Sequence, residues 1–87
     1  MKYIYIKELT VIRDGEYEKN IYFVKKMFSD EFDCETYAVG VSEDEKVSEI
    51  KDFSISFESA KEFTDYLWRR NATGETIFLL GEEFIER

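Results

Sequence analysis

The first part of the chain alternates apolar and polar residues with the two-residue period of β-strands. The stretch from Lys2 to Arg13 is rich in tyrosine, isoleucine and valine. It ends at Asp14-Gly15, a pair that accepts positive φ at both central positions of a type I′ turn. The stretch from Glu16 to about Phe28 carries apolar residues in both alternating phases. Such a strand is partly covered on both faces, or twists so that each face is covered in turn. The pattern predicts a long β-hairpin.

Two further strands are predicted after the hairpin. A polar segment, residues 29–33, separates the hairpin from a third strand, Cys34 to Ser42. Within it, Gly40 indicates a bulge or close packing. The polar run Glu43 to Lys46 then leads to a fourth strand, from Val47 to about Ile55. Because the four strands follow one another with short connections, an antiparallel meander is the simplest sheet.

A helix is predicted from Ser56, where the apolar period changes to about 3.6 residues. Ser56 is a good N-cap, and Glu58 in the first turn faces the positive end of the helix dipole. We expect the helix to end between Asn71 and Gly74, because Gly74 can take the left-handed conformation that ends helices. The predicted buried side of the helix carries Phe57, Ala60, Phe63, Thr64 and Leu67.

The end of the chain gives two competing signals. Thr76 to Leu80 suits an extended segment, whereas Leu80, Phe84 and the acids between them suit a helical turn. We predict an extended segment that leads into a short helix from about Gly81. The chain has no proline and no linker, so residues 1–87 are predicted to form a single domain. The predicted fold is α+β: a four-stranded antiparallel meander with one main helix packed on one face and a short C-terminal helix.

Charge and composition narrow the classes of partner. The 87 residues include 20 acidic and 12 basic side chains and no histidine, so the formal net charge is −8. Proteins that neutralise phosphates need clustered Lys and Arg, so we expect no direct binding to nucleic acid or to a membrane. No stretch approaches the roughly 18 apolar residues of a membrane span, and the N-terminus lacks the apolar run of a signal peptide. The single Cys34 cannot form an intramolecular disulfide, and we expect a cytoplasmic protein.

The residues give little support to catalysis. Histidine, the usual acid–base group near pH 7, is absent, and Cys34 has neither a histidine to activate it nor a second cysteine. Four glycines and one cysteine do not make a phosphate loop, a nucleophile elbow or a zinc site. The acidic runs lack the spacing of a calcium loop. We therefore predict that the protein is not an enzyme and holds no metal or cofactor.

Aromatic residues are frequent for so small an acidic chain. Six tyrosines, eight phenylalanines and one tryptophan exceed what a small core holds, and tyrosine and tryptophan are common at protein interfaces. The predicted partner-binding side chains on the hairpin are Tyr3, Tyr5, Tyr17 and Tyr22. The alternative is that these rings cover the sheet, with their hydroxyl groups in water. A second predicted partner-binding set is acidic: Asp30, Glu31, Asp33, Glu35, Glu43, Asp44 and Glu45.

Two functions remain open at this stage. The first is a small non-catalytic interaction protein, an adaptor, regulator or inhibitor, that docks on another protein through the hairpin aromatics or the acids. A sharper form is a phage-type antagonist of a nucleic-acid-binding protein or defence nuclease, in which the carboxylates occupy phosphate sites. The second is a small-molecule-binding or enzymatic domain with an aromatic pocket. Such a pocket would be lined by Phe23, Tyr37, Phe53, Phe63 and Trp68.

The predicted meander also leaves at least one long free edge. Pairing of two such edges would make a homodimer, and lysines along an edge oppose such pairing. The lysines available for this protection are Lys2, Lys7, Lys19 and Lys25.

Four stretches in the later part of the chain carry a recognisable apolar pattern. They are Tyr37-Ala38-Val39-Gly40-Val41, Ile50-Lys51-Asp52-Phe53-Ser54-Ile55-Ser56, the helix through Leu67, and Ile77-Phe78-Leu79-Leu80 to Glu83-Phe84-Ile85-Glu86. Together they resemble a family of short uncharacterised bacterial domains of unknown function. That family has proline and histidine where Glu75-Thr76-Ile77 stands here. The resemblance, mainly over residues 37–87, implies the fold and a bacterial or phage origin, and it brings no activity.

Overall fold

The computed structural model describes residues 3–85, which form one sheet and two helices. The elements are β1 (Tyr3–Arg13), β2 (Glu16–Ser29), β3 (Cys34–Glu43), β4 (Lys46–Ser54), α1 (Phe57–Arg69) and α2 (Ile77–Ile85). The strands form one antiparallel sheet in the order β1-β2-β3-β4, and α1 packs on the sheet. The predicted α+β fold is therefore confirmed. Among the described residues, neither helix is long and apolar enough to cross a membrane.

Aspartates occupy the left-handed backbone positions of the sheet. Asp14 and Gly15 have φ of 50° and 79°, so the predicted tight turn between β1 and β2 is confirmed. Asp33 directly precedes β3 and Asp44 opens the β3–β4 turn, with φ of 53° and 56°. Asp52 has φ of 52° where the β3–β4 register shifts. Aspartate tolerates this region better than most residues, so these acids have a local structural role.

The core lies between the sheet and the two helices. Phe63 of α1 has no exposed surface, and its ring stacks on Phe53 of β4 at a centroid distance of 4.5 Å. Burial of each such large apolar side chain stabilises the fold by about 1.5–3 kcal/mol. The buried residues of this cluster are Tyr22, Val24, Val39, Val41, Ala60, Phe63, Tyr66, Leu67, Ala72 and Ile77.

Local hydrogen bonds fix both ends of α1. Ser56 is the N-cap, as predicted, and its Oγ accepts a hydrogen bond from the backbone N–H of Ser59 at 3.2 Å. At the other end the left-handed residue is Asn71, with φ of 51°, so the prediction for Gly74 was wrong. Asparagine is the usual substitute for glycine at this position. Gly74 instead packs on Ser48, whose hydroxyl a Cβ at position 74 would strike.

The prediction of an extended segment over Thr76–Leu80 was wrong, because α2 spans Ile77–Ile85. The carbonyl oxygen of Thr73 accepts hydrogen bonds from the N–H groups of Thr76 and Ile77 at 3.0 and 3.1 Å. In return, Thr76 Oγ1 accepts from the Thr73 N–H at 2.9 Å. The Thr76 hydroxyl thus satisfies one free N–H group at the start of α2, as the N3 side chain of a capping box does, and this favours helix over strand. Ile77 is fully buried and holds the start of α2 in the core.

Candidate functional site

The sheet has one face covered by helices and one face that no element covers within residues 3–85. On the uncovered side, the register places Ile6 opposite Phe23 and Phe23 opposite Gly40. Because side chains alternate along a strand, residues two apart from these share the same face. We call this side the open face. Its larger apolar side chains include Tyr3, Ile4, Ile6, Ile12, Tyr17, Ile21, Phe23, Met27 and Val47.

The centre of the open face is a small packed unit around Phe23. Phe23 has no exposed surface, although it lies outside the cluster under the helices. The ring of Tyr3 stacks on it at a centroid distance of 4.2 Å. Its ring also occupies the space above Gly40, where a Cβ would strike both that ring and the Ser48 carbonyl oxygen. The prediction of close packing at Gly40 is thus confirmed.

Further exposed apolar side chains lie on the same face, at the turn end of the hairpin and along its edges. Tyr17 is 79% exposed and Ile12, its cross-strand neighbour, is 66% exposed. Ile6 and Val47 are also exposed, at the first and last strands of the sheet. Exposed apolar residues grouped on one face, rather than scattered singly, are typical of an interaction surface.

Two oppositely charged pairs lie on the open face. Lys25 is nearly buried, and its Nζ lies 2.7 Å from Glu49 Oε2 across β3. Lys19 Nζ lies 3.7 Å from Glu8 Oε2. Each of these two pairs is neutral, in contrast to the −8 of the whole chain.

The structure divides the four hairpin tyrosines between the two faces. A register shift between Tyr3 and Tyr5 places Tyr3 on the open face and Tyr5 under α1. Tyr17 is on the open face, whereas Tyr22 is fully buried in the core. The prediction of Tyr22 as a partner-binding residue was therefore wrong, since no partner reaches it in this fold.

Both inner tyrosines use their hydroxyl groups inside the protein. Tyr22 donates a hydrogen bond to the carbonyl oxygen of Ala72 at 2.7 Å, and Tyr5 donates to Asp65 Oδ1 at 2.5 Å. Burial, together with the hydrogen bond and the charge of Asp65, raises the pKa of Tyr5 to about 12. Burial also raises the pKa of Tyr22. Neither hydroxyl is available to a partner.

The seven predicted acids lie at opposite ends of β3. Asp30, Glu31 and Asp33 are in the β2–β3 loop, whereas Asp44 and Glu45 form the β3–β4 turn, and all five are exposed. The ten residues of β3 separate the two groups by about 30 Å at the usual rise per residue. The acids therefore do not form one patch.

The remaining two of these acids have partners within the protein. Glu35 Oε2 lies 3.1 Å from Lys26 Nζ, and this contact raises the pKa of Lys26. Glu43 accepts a hydrogen bond from the Gly74 N–H at 2.5 Å and lies 3.3 Å from Arg13 Nη2. Glu43 thus ties the α1–α2 loop to the end of β3, and its carboxylate is engaged inside the fold.

Four of the five aromatic residues predicted to line a pocket belong to the core instead: Phe63 is buried there, and Tyr37, Phe53 and Trp68 pack against it. Phe23 lies on the open face, whereas Phe53 and Phe63 stack on each other in the core. Trp68 lies across the β1 edge, where its Nε1–H donates to the Glu8 carbonyl oxygen at 2.8 Å. The prediction of one shared aromatic pocket was therefore wrong.

The aliphatic residues of the open face were not predicted from the sequence as partner-binding residues: Ile4, Ile6, Ile12, Ile21 and Val47. The available signal was the second apolar phase of the Glu16–Phe28 stretch, which indicates apolar side chains on both faces. Within residues 3–85, no group of three or more cysteines, aspartates and glutamates is placed to hold a metal ion. No family model, no curated protein and no solved structure matches the chain.

Proposed function

We propose that the chain is a non-catalytic protein-interaction domain of the cytoplasm, an adaptor, regulator or inhibitor, and that the open face is its contact surface. The observation that carries this proposal is a sheet face that no element covers within residues 3–85 and that exposes several large apolar side chains on an acidic protein. Ile12 and Tyr17 are exposed, and covering their apolar surface stabilises a complex by about 25 cal/mol per Å². The preformed stack of Tyr3 on Phe23 supplies a rigid aromatic centre, which loses little entropy on binding.

The charges around the open face favour a different protein over a second copy. Asp30 and Glu31 lie at one end of the sheet, and Asp44 and Glu45 lie at the other. Two sheets that pack face to face keep their strands nearly aligned, so two copies would bring acidic ends together in either direction. Like charges across an interface are unfavourable. The expected partner therefore presents an apolar patch flanked by lysines or arginines.

The β1 edge is a poor site for a homodimer. Counting from the Arg13–Glu16 pair beside the turn, Glu8 is a residue whose backbone groups point away from β2. The Trp68 indole N–H donates a hydrogen bond to the outward-pointing carbonyl oxygen of Glu8. Lys7 Nζ lies 4.7 Å from the centre of the Trp68 ring. A second β1 strand would have to displace this side chain. Of the predicted edge lysines, Lys2 lies outside the described residues.

The test compares a variant of the open face with a matched variant elsewhere. The open-face variant is Ile12→Ser with Tyr17→Ser, and the control is Ile55→Ser, which removes an apolar side chain that is 76% exposed outside the open face. Each protein is used to capture partners from a nuclease-treated lysate of the source organism. The affinity of any stoichiometric partner is then measured by calorimetry. We expect the open-face variant to weaken binding about tenfold or more and the control to leave it unchanged.

Two outcomes would contradict this assignment. A partner that binds the open-face variant as tightly as the wild type uses another surface. The other outcome is a captured nucleic-acid enzyme that dissociates at high salt and no longer binds when Asp30→Asn and Glu31→Gln are introduced. That outcome would instead support phosphate mimicry. That alternative rests on the exposed carboxylates at the ends of β3, two of which, Asp33 and Asp44, also serve the backbone turns.

A further inference from the structure

A second apolar surface lies on the other side of the sheet, between β4 and α2. It is a groove of about 190 Å³, which we call the α2 groove. Gly81 is buried at its base, where a Cβ would lie 3.1 Å from Ile50 Cδ1, so the glycine lets α2 pack closely on β4 there. The residues that line it are Ile50, Phe53, Phe78, Gly81, Glu82 and Ile85.

Three residues of α2 line the groove and are exposed to solvent. Phe78, Glu82 and Ile85 are spaced i, i+4 and i+7, so they form one stripe along the helix. All three are exposed, and Ile85 is 69% exposed. The stripe therefore has an apolar residue at each end and a carboxylate between them.

The charge of this stripe indicates what kind of partner it fits. The charged residues of α2 are Glu82 and Glu83, and the helix has no basic residue. Among the described residues, Glu82 makes no ion pair or hydrogen bond. A second copy of α2 would bring like charges together, whereas a lysine or arginine beside the groove would pair with Glu82. Charge complementarity thus favours a basic, apolar segment of another protein.

We propose that the α2 groove binds a peptide segment that inserts one bulky apolar side chain and places a Lys or Arg beside Glu82. The groove is open to solvent on one side, and its volume of about 190 Å³ leaves room for part of one phenylalanine or leucine side chain. The groove lies on the helix side of the sheet and the open face lies on the other. The two surfaces can therefore be occupied at once, and the protein would link two partners.

The probe is the peptide Ac-Gly-Ser-Gly-Phe-Lys-Gly-Ser-Gly-NH2, titrated into the ¹⁵N-labelled protein and followed by NMR chemical shifts. We expect shifts at the lining residues and a dissociation constant in the millimolar range, on the order of that for a single anchoring side chain. Replacing Phe by Ser in the peptide should abolish the shifts. Replacing its Lys by Glu should weaken binding about tenfold.

Matched variants of neighbouring glutamates test the charge. Glu82→Lys should weaken binding of the Phe-Lys peptide about tenfold and should bind the Phe-Glu peptide better than the wild type does. Glu83→Lys, one residue further along the same helix and outside the groove lining, should change both affinities by less than about twofold. The reciprocal swap is a readout that loss of folding would not produce.

Several results would overturn the proposal. They are the absence of shifts at the α2 groove, equal effects of Glu82→Lys and Glu83→Lys, and equal binding of the peptide with Ser in place of Phe. Concentration-dependent shifts at the groove without peptide would identify a second copy as the occupant. The double variant Ile12→Ser, Tyr17→Ser should bind the peptide normally, so failure here is distinguishable from failure of the open face.

Discussion

Removal of one buried hydroxyl group should destabilise the protein strongly. Tyr22 is fully buried and donates to the carbonyl oxygen of Ala72, a residue that is itself only 2% exposed. Tyr22→Phe leaves that carbonyl oxygen without this donor in a site that water does not reach. An unsatisfied buried polar group costs about 1–3 kcal/mol.

That cost is large relative to the total stability of the domain. A chain of 87 residues has a free energy of unfolding of roughly 4–13 kcal/mol. Each kcal/mol lost lowers the melting temperature of a domain of this size by about 4–8 °C. The affected bond also joins β2 to the loop between α1 and α2, so its loss should loosen the docking of α2.

The assay is urea unfolding followed by far-ultraviolet circular dichroism, with Tyr17→Phe as the matched control. Tyr17 is 79% exposed, so its hydroxyl is hydrated in both the folded and the unfolded protein. The free energy of unfolding of Tyr17→Phe should therefore stay within about 0.5 kcal/mol of the wild-type value. Both variants should keep the wild-type dependence on urea concentration. If Tyr22→Phe were as stable as Tyr17→Phe, the inferred role of the Tyr22 hydroxyl would be refuted.

Three further predictions follow from single contacts. The pKa of Tyr5 rises to about 12 from an unfolded value of 10.0, so its stabilising contribution is present below pH 10 and is lost as the pH rises to 12. The free energy of unfolding should therefore fall less between pH 9 and pH 11 for Tyr5→Phe than for the wild type. Equal decreases in the two proteins would contradict this. Gly40→Ala should destabilise by about 1–3 kcal/mol in urea unfolding, because its Cβ strikes neighbouring backbone and side-chain atoms; greater stability would show that the sheet relaxes there. Trp68→Phe keeps a ring but frees the Glu8 carbonyl oxygen, so sedimentation equilibrium should show stronger self-association than in the wild type, and an unchanged monomer would show that the indole does not guard the edge.

Local interactions made several elements readable from the sequence alone. Asp14-Gly15 determined a tight hairpin because few other pairs accept positive φ at two successive positions. Ser56 determined the start of α1 because its hydroxyl caps a backbone N–H three residues away. The missing side chain at Gly40 indicated a bulge or close packing, and the structure has close packing there. These features depend on a few neighbouring residues, so the order of residues was sufficient.

The candidate surfaces depended on contacts between distant residues, and only the tertiary structure decided them. The register shift beside Tyr5 separated Tyr3 from the other inner side chains, although simple alternation puts both on one face. The hydroxyl of Tyr22 found a carbonyl oxygen 50 residues away, which made a predicted surface tyrosine a core residue. The α2 groove exists because Ile77 is buried and starts a helix where the sequence favoured an extended segment. Such outcomes are set by which segments pack together, and the periodicity of one segment does not contain that information.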